Sequence, residues 1–377
     1  MAVAVASSTG CAARLTDAVD TTLPDLNPLP PRTAVELVEE AATDPDPAVR
    51  GVALSALVGT ARADLPRWVM QGSYDPEPWV QRAVVRELIR RLAEPEVVEH
   101  AVEYVLRASG DPYVRVEVAA ALLGAGHGDR LGPLVGAWRG QPAWRAAPLA
   151  LLAAWAGDPS ARGAMAAAVA TSDVRDDRSF VVAMGRTGWT ELEPALGQAV
   201  ERLPELSLRF SFTAALLGST GGAEAWARAQ RTEFSAPREA IELVMLLPPE
   251  ERARWLRSVA TLGDASVKAA RSIVGRPAPD RLRRALRTGD PWLRHVAVTI
   301  AGELAKDQAT EIIAAGLVDD FDEVRVGAAA LAGRFDAEAA RPQLTVMLVE
   351  DHRIVRVAAA GALLRMDAAV DPGAAAR

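Results

Sequence analysis

The sequence predicts an all-α solenoid of about eleven helix pairs filling residues 32–368. Three observations predict it: a motif recurring about every 30 residues, an apolar stripe at helical spacing inside each copy, and a composition suited to close helix packing. The motif is clearest in "GDPYVRVEVAAALLG" (110–124). It returns as "DPAVRGVALSAL" from Asp46, "PWVQRAVVREL" from Pro78, "GDASVKAARSIVG" from Gly263, "GDPWLRHVAVTIAGEL" from Gly289, "DEVRVGAAALAG" from Asp322 and "HRIVRVAAAGALL" from His352. With its Arg as the ruler, copies stand at Arg50, Gln81, Arg115, Arg145, Arg178, Arg209, Arg238, Lys268, Arg294, Arg325 and Arg356, in steps of 26 to 34 residues. A period of that length marks stacked repeats.

Each copy divides into two helices. Val114, Val118 and Leu122 lie on one face of the helix that carries the motif, and Val355, Ala359 and Leu363 repeat that face in the last copy. Ahead of each motif runs another helical pattern, such as "PEVVEHAVEYVLRAS" (95–109) or "PDRLRRALRTG" (279–289). Stacked pairs bury a core that no single pair could bury alone. Half the residues are hydrophobic but only 5% are aromatic, and the abundance of Ala favours tightly packed helices.

The polar residues of the motif are read as helix-start devices. Asp46, Asp111, Asp264 and Asp290 fit N-caps, where a carboxylate accepts from a free backbone N–H. Pro47, Pro112 and Pro291 fit the first helical position, where no N–H is needed. The ruler cation, one turn inside the helix, can reach a cap acid of its own or a neighbouring unit. Arg50, Arg115, Lys268, Arg294, Arg325 and Arg356 are thus expected in a ladder of ion pairs. Units four to seven depart most from the motif, so their boundaries are the least defined.

This "D-P-x-V-R-x-x-A-x-x-A-L" pattern resembles the HEAT-like repeat, especially the subtype named after phycobilisome lyases, over nearly the whole chain. The resemblance implies a right-handed α-α superhelix with the motif helices lining a concave side. Proteins built on such repeats are scaffolds, adaptors, transport factors, a few lyases and one class of DNA glycosylases.

Residues 1–31 do not repeat. "MAVAVASSTGCAARL" is small and apolar up to Cys11, the one cysteine, and a Thr-, Asp- and Pro-rich stretch follows that suits a linker. The run ending in Thr-Gly-Cys resembles a bacterial lipobox with Cys11 as the lipidation candidate, although Ser8 stands where Leu or Val is usual and no charged start precedes it. The other reading is a frayed cytoplasmic N-terminus. Localisation is therefore open between cytoplasm and bacterial envelope. Residues 369–377 read as a disordered tail.

Chemistry is sparse. One cysteine excludes an internal disulfide and a Cys-rich zinc site. His100, His127, His295 and His352 share no ligand spacing, and no nucleophile elbow or phosphate-binding loop appears. No catalytic residue, cofactor or metal is expected. Trp79, Tyr113 and Trp292 share one place in the motif; they are either packing residues or aromatic anchors for a partner. Arg281, Arg283, Arg284 and Arg287 in "DRLRRALR" form a locally basic segment, with Arg271, Arg276 and Arg294 nearby. They are either a solvated face or a patch for phosphate or an acidic protein surface. The net charge of −7 argues against nucleic acid as the main partner. The expectation is a monomeric, non-enzymatic scaffold that binds a protein partner; the alternatives are a DNA-glycosylase-like protein and a bilin lyase-like protein.

Overall fold

A computed structural model describes residues 33–370, apart from 61–63, 107–110, 133–138, 172–176, 203–206, 232–234, 262–263 and 350–351. Cys11 and the N-terminal linker lie outside the described residues. The chain divides after Thr33, and the second unit, from Ala34 onward, contains every described helix. Among the described residues there are helices and turns and no strand, so the chain is all-α.

The pairs follow one another in chain order. They are α1 (Ala34–Ala41) with α2 (Pro47–Thr60), α3 (Leu65–Ser73) with α4 (Pro78–Arg90), and α5 (Pro95–His100) with α6 (Pro112–Gly124). The chain runs on from α5 as a wider π-helical stretch, Ala101–Leu106. In the fourth unit a single 3-10 turn, Gly128–Arg130, is described ahead of α7 (Ala143–Trp155). Then come α8 (Ala161–Thr171) with α9 (Arg178–Gly185), α10 (Glu193–Arg202) with α11 (Ser207–Leu216), and α12 (Thr220–Ala229) with α13 (Ala236–Met245). The last four pairs are α14 (Pro249–Leu256) with α15 (Ala265–Gly275), α16 (Pro279–Thr288) with α17 (Pro291–Ala301), α18 (Lys306–Leu317) with α19 (Asp322–Arg334), and α20 (Arg341–Met347) with α21 (Arg353–Val370). Helix α21 runs past residue 368, where the repeat pattern ended, and residues 371–377 lie outside the described ones.

The helix starts are built as the motif requires. Asp111 accepts from the Tyr113 N–H at 2.9 Å, Asp290 from Leu293 at 2.9 Å, Asp264 from Ser266 at 2.8 Å and Asp46 from Ala48 at 2.8 Å. Pro47, Pro112 and Pro291 are the first residues of their helices. The ruler residue is the fourth of its helix in α2, α4, α6, α15, α17, α19 and α21. It is third in α7, α11 and α13, and first in α9. In α9 the cap is Asp177, which accepts from the Phe180 N–H at 2.9 Å, so Val181 holds the place assigned to Arg178. With Arg178 directly after the cap acid, the ruler was set three residues too early.

Motif helices pack on their successors: α2 on α4, α4 on α6, α9 on α11, and onward to α19 on α21. Helix α6 also packs directly on α9. The array then closes on itself, because α21 packs on α1 and α2 as well as on α19 and α20. Small residues permit this approach. A methyl group at Gly361 would sit 2.6 Å from Ala56 Cβ in α2, and one at Gly333 would sit 2.8 Å from Ala362 Cα in α21. Polar groups join the same seam. Arg353 reaches Asp44 at 2.7 Å, and the Arg365 guanidinium donates to the Ser55 carbonyl at 2.8 Å and to Glu87 at 2.9 Å. Helix α21 is consequently buried on opposite sides. Val357 and Ala360 belong to the core of the N-terminal pairs, and Val355, Ala359 and Met366 to the core of the C-terminal ones.

Candidate functional site

The ion-pair ladder exists, mostly between units. Arg50 Nε meets Asp75 at 2.8 Å, and Arg294 Nε meets Asp319 at 2.9 Å, both acids standing just ahead of the next motif helix. Arg209 reaches Glu239 at 2.5 Å. Arg238 bridges Asp264 at 3.3 Å and Asp290 at 2.7 Å, tying three consecutive units together. Arg325 stays within its own unit, on Asp322 at 2.5 Å. Arg356 is half-buried near the start of α21. Arg115 is half-buried beside Arg145, and burial followed by that like charge pushes its pKa down.

Asp290 makes the ladder sensitive to acid. Burial alone would raise its pKa, but hydrogen bonds from the Leu293 N–H and the Ser266 hydroxyl, with the Arg238 charge, outweigh it, so the pKa lies below the ordinary 3.8. A depressed folded pKa adds stability above the unfolded value and loses it as pH falls through the folded one. Asp290→Ala should therefore cost about 1 kcal/mol at neutral pH, the usual value of a lost cap. The difference from wild type should shrink below about pH 4, as followed by urea unfolding across a pH series.

Two expectations are corrected. Tyr113 is 1% exposed and stacks edge-on against Phe180 with ring centroids 5.3 Å apart, so it is a core residue and no partner anchor. Phe180 comes from α9, which packs directly on α6 and covers this position. Lys268 is exposed and makes no ion pair among the described residues, so it is no rung of the ladder. Arg238 of the preceding unit takes Asp264 in its place.

The other two motif aromatics sit apart. Trp292 is half-buried; its Nε1 donates to Glu242 at 3.0 Å, and Arg238 lies over its ring at 4.9 Å. Trp79 is 40% exposed, with its ring against the bare Cα of Gly51.

The basic segment divides likewise. Arg283 is neutralised by Asp280 at 2.5 Å and by Glu311. Arg284 and Arg287 are exposed on α16. Arg281 turns the other way, donating to Ser272 Oγ at 2.9 Å, and lines a cleft of about 410 Å³ formed by α14, α15 and α16. The other cations of that cleft are Arg257, Lys268, Arg271 and Arg276, and no carboxylate lines it. Arg271 Nε donates to the Leu256 carbonyl at 2.9 Å, which holds the guanidinium at the cleft wall. The sequence brought Arg271 and Arg276 near Arg281 but left out Arg257, and it placed Lys268 in the ladder. A signal was present: "RWLRS", "VKAARS" and "RPAPDRLRR" put cations of three successive helices at matching ends.

Among the described residues no group of three or more His, Cys, Asp or Glu side chains could hold a metal ion. No described helix is long and apolar enough to cross a membrane.

No family model and no curated protein matches the chain. Among solved structures, it is similar to the crystal structure of an engineered protein at 17% identity, covering 89% of this chain and 99% of that one, with a TM-score of 0.24.

Proposed function

We propose that the chain is a non-enzymatic HEAT-like repeat module that binds an acidic segment of a protein partner in the cleft of α14, α15 and α16. The observation that carries this reading is the set of five cations around one cleft without a carboxylate, in a chain of net charge −7. In the ladder, by contrast, Arg50, Arg209, Arg238 and Arg294 are each paired with a carboxylate. Here the five guanidinium and ammonium groups repel one another, and an acidic ligand relieves that repulsion while forming charge-assisted hydrogen bonds. An extended polyanion such as nucleic acid would also run over the acidic remainder of the surface, whereas a short acidic segment need not. The family assignment rests on the D-P-x-V-R pattern and on the constant register of the ruler residue in seven helices. The membrane tether at Cys11 is a separate proposal, resting on the Thr-Gly-Cys run.

The test is fluorescence titration of the full chain with a labelled Asp- and Glu-rich peptide and with a single-stranded oligonucleotide. Peptide binding should weaken as salt rises, and Lys268→Glu with Arg276→Glu should weaken it by about tenfold or more. Tighter oligonucleotide binding, lost with the same two substitutions, would replace the reading with a nucleic-acid one. Peptide affinity unchanged by the charge reversals would remove the cleft from the function.

A further inference from the structure

A second cleft, of about 450 Å³, is formed by α6, α7, α9 and the turn after α13. It shares no residue with the α14–α16 cleft. Its walls are largely apolar. Leu123 and Leu246 are large hydrophobic side chains left 37% and 43% exposed, and both line it together with half-buried Trp155. Apolar groups from three different helices thus converge on one concave site with nothing from the described chain to cover them.

One carboxylate lines this cleft, Glu117 of α6. Its side chain is only 14% exposed, yet it makes no hydrogen bond to any group of the chain among the described residues. Its ion-pair partner there is Arg86, whose Nε stands 3.5 Å from Oε1; that guanidinium is 60% exposed, so solvent screens the pair. The other oxygen, Oε2, is buried without a donor. Carboxylates this deep are normally hydrogen-bonded, because an unpaired buried acceptor costs free energy. Arg186, the cation that lines the same cleft, is already held by Glu251 at 3.2 Å. The cleft therefore sets an incompletely neutralised carboxylate beside an apolar wall.

We propose that this cleft binds a small organic amine, with its ammonium group on the Glu117 carboxylate and its apolar body against Leu123, Trp155 and Leu246. The ammonium supplies the charge-assisted hydrogen bond that the carboxylate lacks. The size and lining are those of a small-molecule pocket, in which apolar contact holds the ligand and a few polar groups orient it. A metal ion does not suit the site: Glu117 is a single ligand, and no group of three or more His, Cys, Asp or Glu side chains forms among the described residues.

The experiment titrates the full chain with phenethylamine and with its uncharged counterpart phenethyl alcohol, followed by calorimetry, and melts each variant. Wild type should bind the amine about tenfold or more tightly than the alcohol. Glu117→Gln keeps the side-chain shape; it should weaken the amine about 10- to 100-fold and leave the alcohol unchanged. Leu246→Gln, at an exposed position, should weaken both ligands alike. Lys268→Glu with Arg276→Glu should leave amine binding intact, which separates a failure here from a failure of the α14–α16 cleft. A wild-type protein indifferent to millimolar amine overturns the proposal, and so does equal affinity for amine and alcohol. If Glu117 serves only as the partner of Arg86, Glu117→Gln will lower the melting temperature and bind the amine undiminished, which also overturns it. Should Glu117→Gln not fold, the amine–alcohol difference and Leu246→Gln still decide: amine affinity unchanged by Leu246→Gln removes the ligand from this cleft.

Discussion

A chain ending before α21 is expected to lose far more stability than one helix pair contributes. In an open array the last pair has one neighbour, and its removal exposes one interface. Here α21 packs on α19 and on α2, and its buried residues belong to both halves of the core. Deletion uncovers two apolar faces at opposite ends of the remaining chain. The expected result is a collapse of the urea midpoint with dye-accessible apolar surface at both α2 and α19. A gentler variant keeps the question answerable if the truncated chain does not fold. Gly361→Leu forces a side chain into Ala56 and should cost about 1–3 kcal/mol by overpacking alone. A truncated protein that unfolds as a single transition with little loss of midpoint would show that closure contributes nothing.

The second large effect is expected at Glu87. Its carboxylate is nearly buried and neutralises Arg365, whose side chain is 13% exposed; burial lowers the pKa of that guanidinium despite the ion pair. Glu87→Ala leaves the Arg365 charge buried with only the Ser55 carbonyl as acceptor. Breaking a buried pair from one side costs about 3–5 kcal/mol. Replacing both partners, with Glu87→Met and Arg365→Met, should recover most of that loss, since a buried pair exchanged for packed apolar groups is close to neutral. Denaturant unfolding of Glu87→Met, Arg365→Met and the double variant measures the coupling. Additive losses would mean that the pair does not act as a unit.

The helix pairs were legible because their signals are local. A cap acid, a Pro at the first position and an apolar face all lie within about a dozen residues, so α2, α6, α15 and α17 could be placed from sequence. Helix α9 was misplaced because the ruler was set on Arg178, which directly follows the cap Asp177, while Val181 holds the fourth place. Tyr113 and Trp292 share a motif position and diverge only because Phe180 covers one while Glu242 and Arg238 hold the other at the rim. Those contacts lie about 50 to 70 residues away and leave no trace in a repeat alignment. The α14–α16 cleft was half legible, since its cations recur on neighbouring helices. The closing seam was not, because Glu87 and Arg365 lie 278 residues apart. One sequence signal for closure did exist. End repeats of an open array need a polar outer face, and "RIVRVAAAGALLRM" in α21 has no such face.

Closure also bears on how such a chain can change length. Duplicating one thirty-residue unit lengthens an open array and leaves every existing interface as it was. In this chain an added pair would have to part Gly361 from Ala56, Arg353 from Asp44 and Arg365 from Ser55, or spread its bulk over every neighbour. The number of pairs is therefore a closed-circuit quantity, set by where α21 must arrive. Insertions should be tolerated in the turns and rejected as whole repeats.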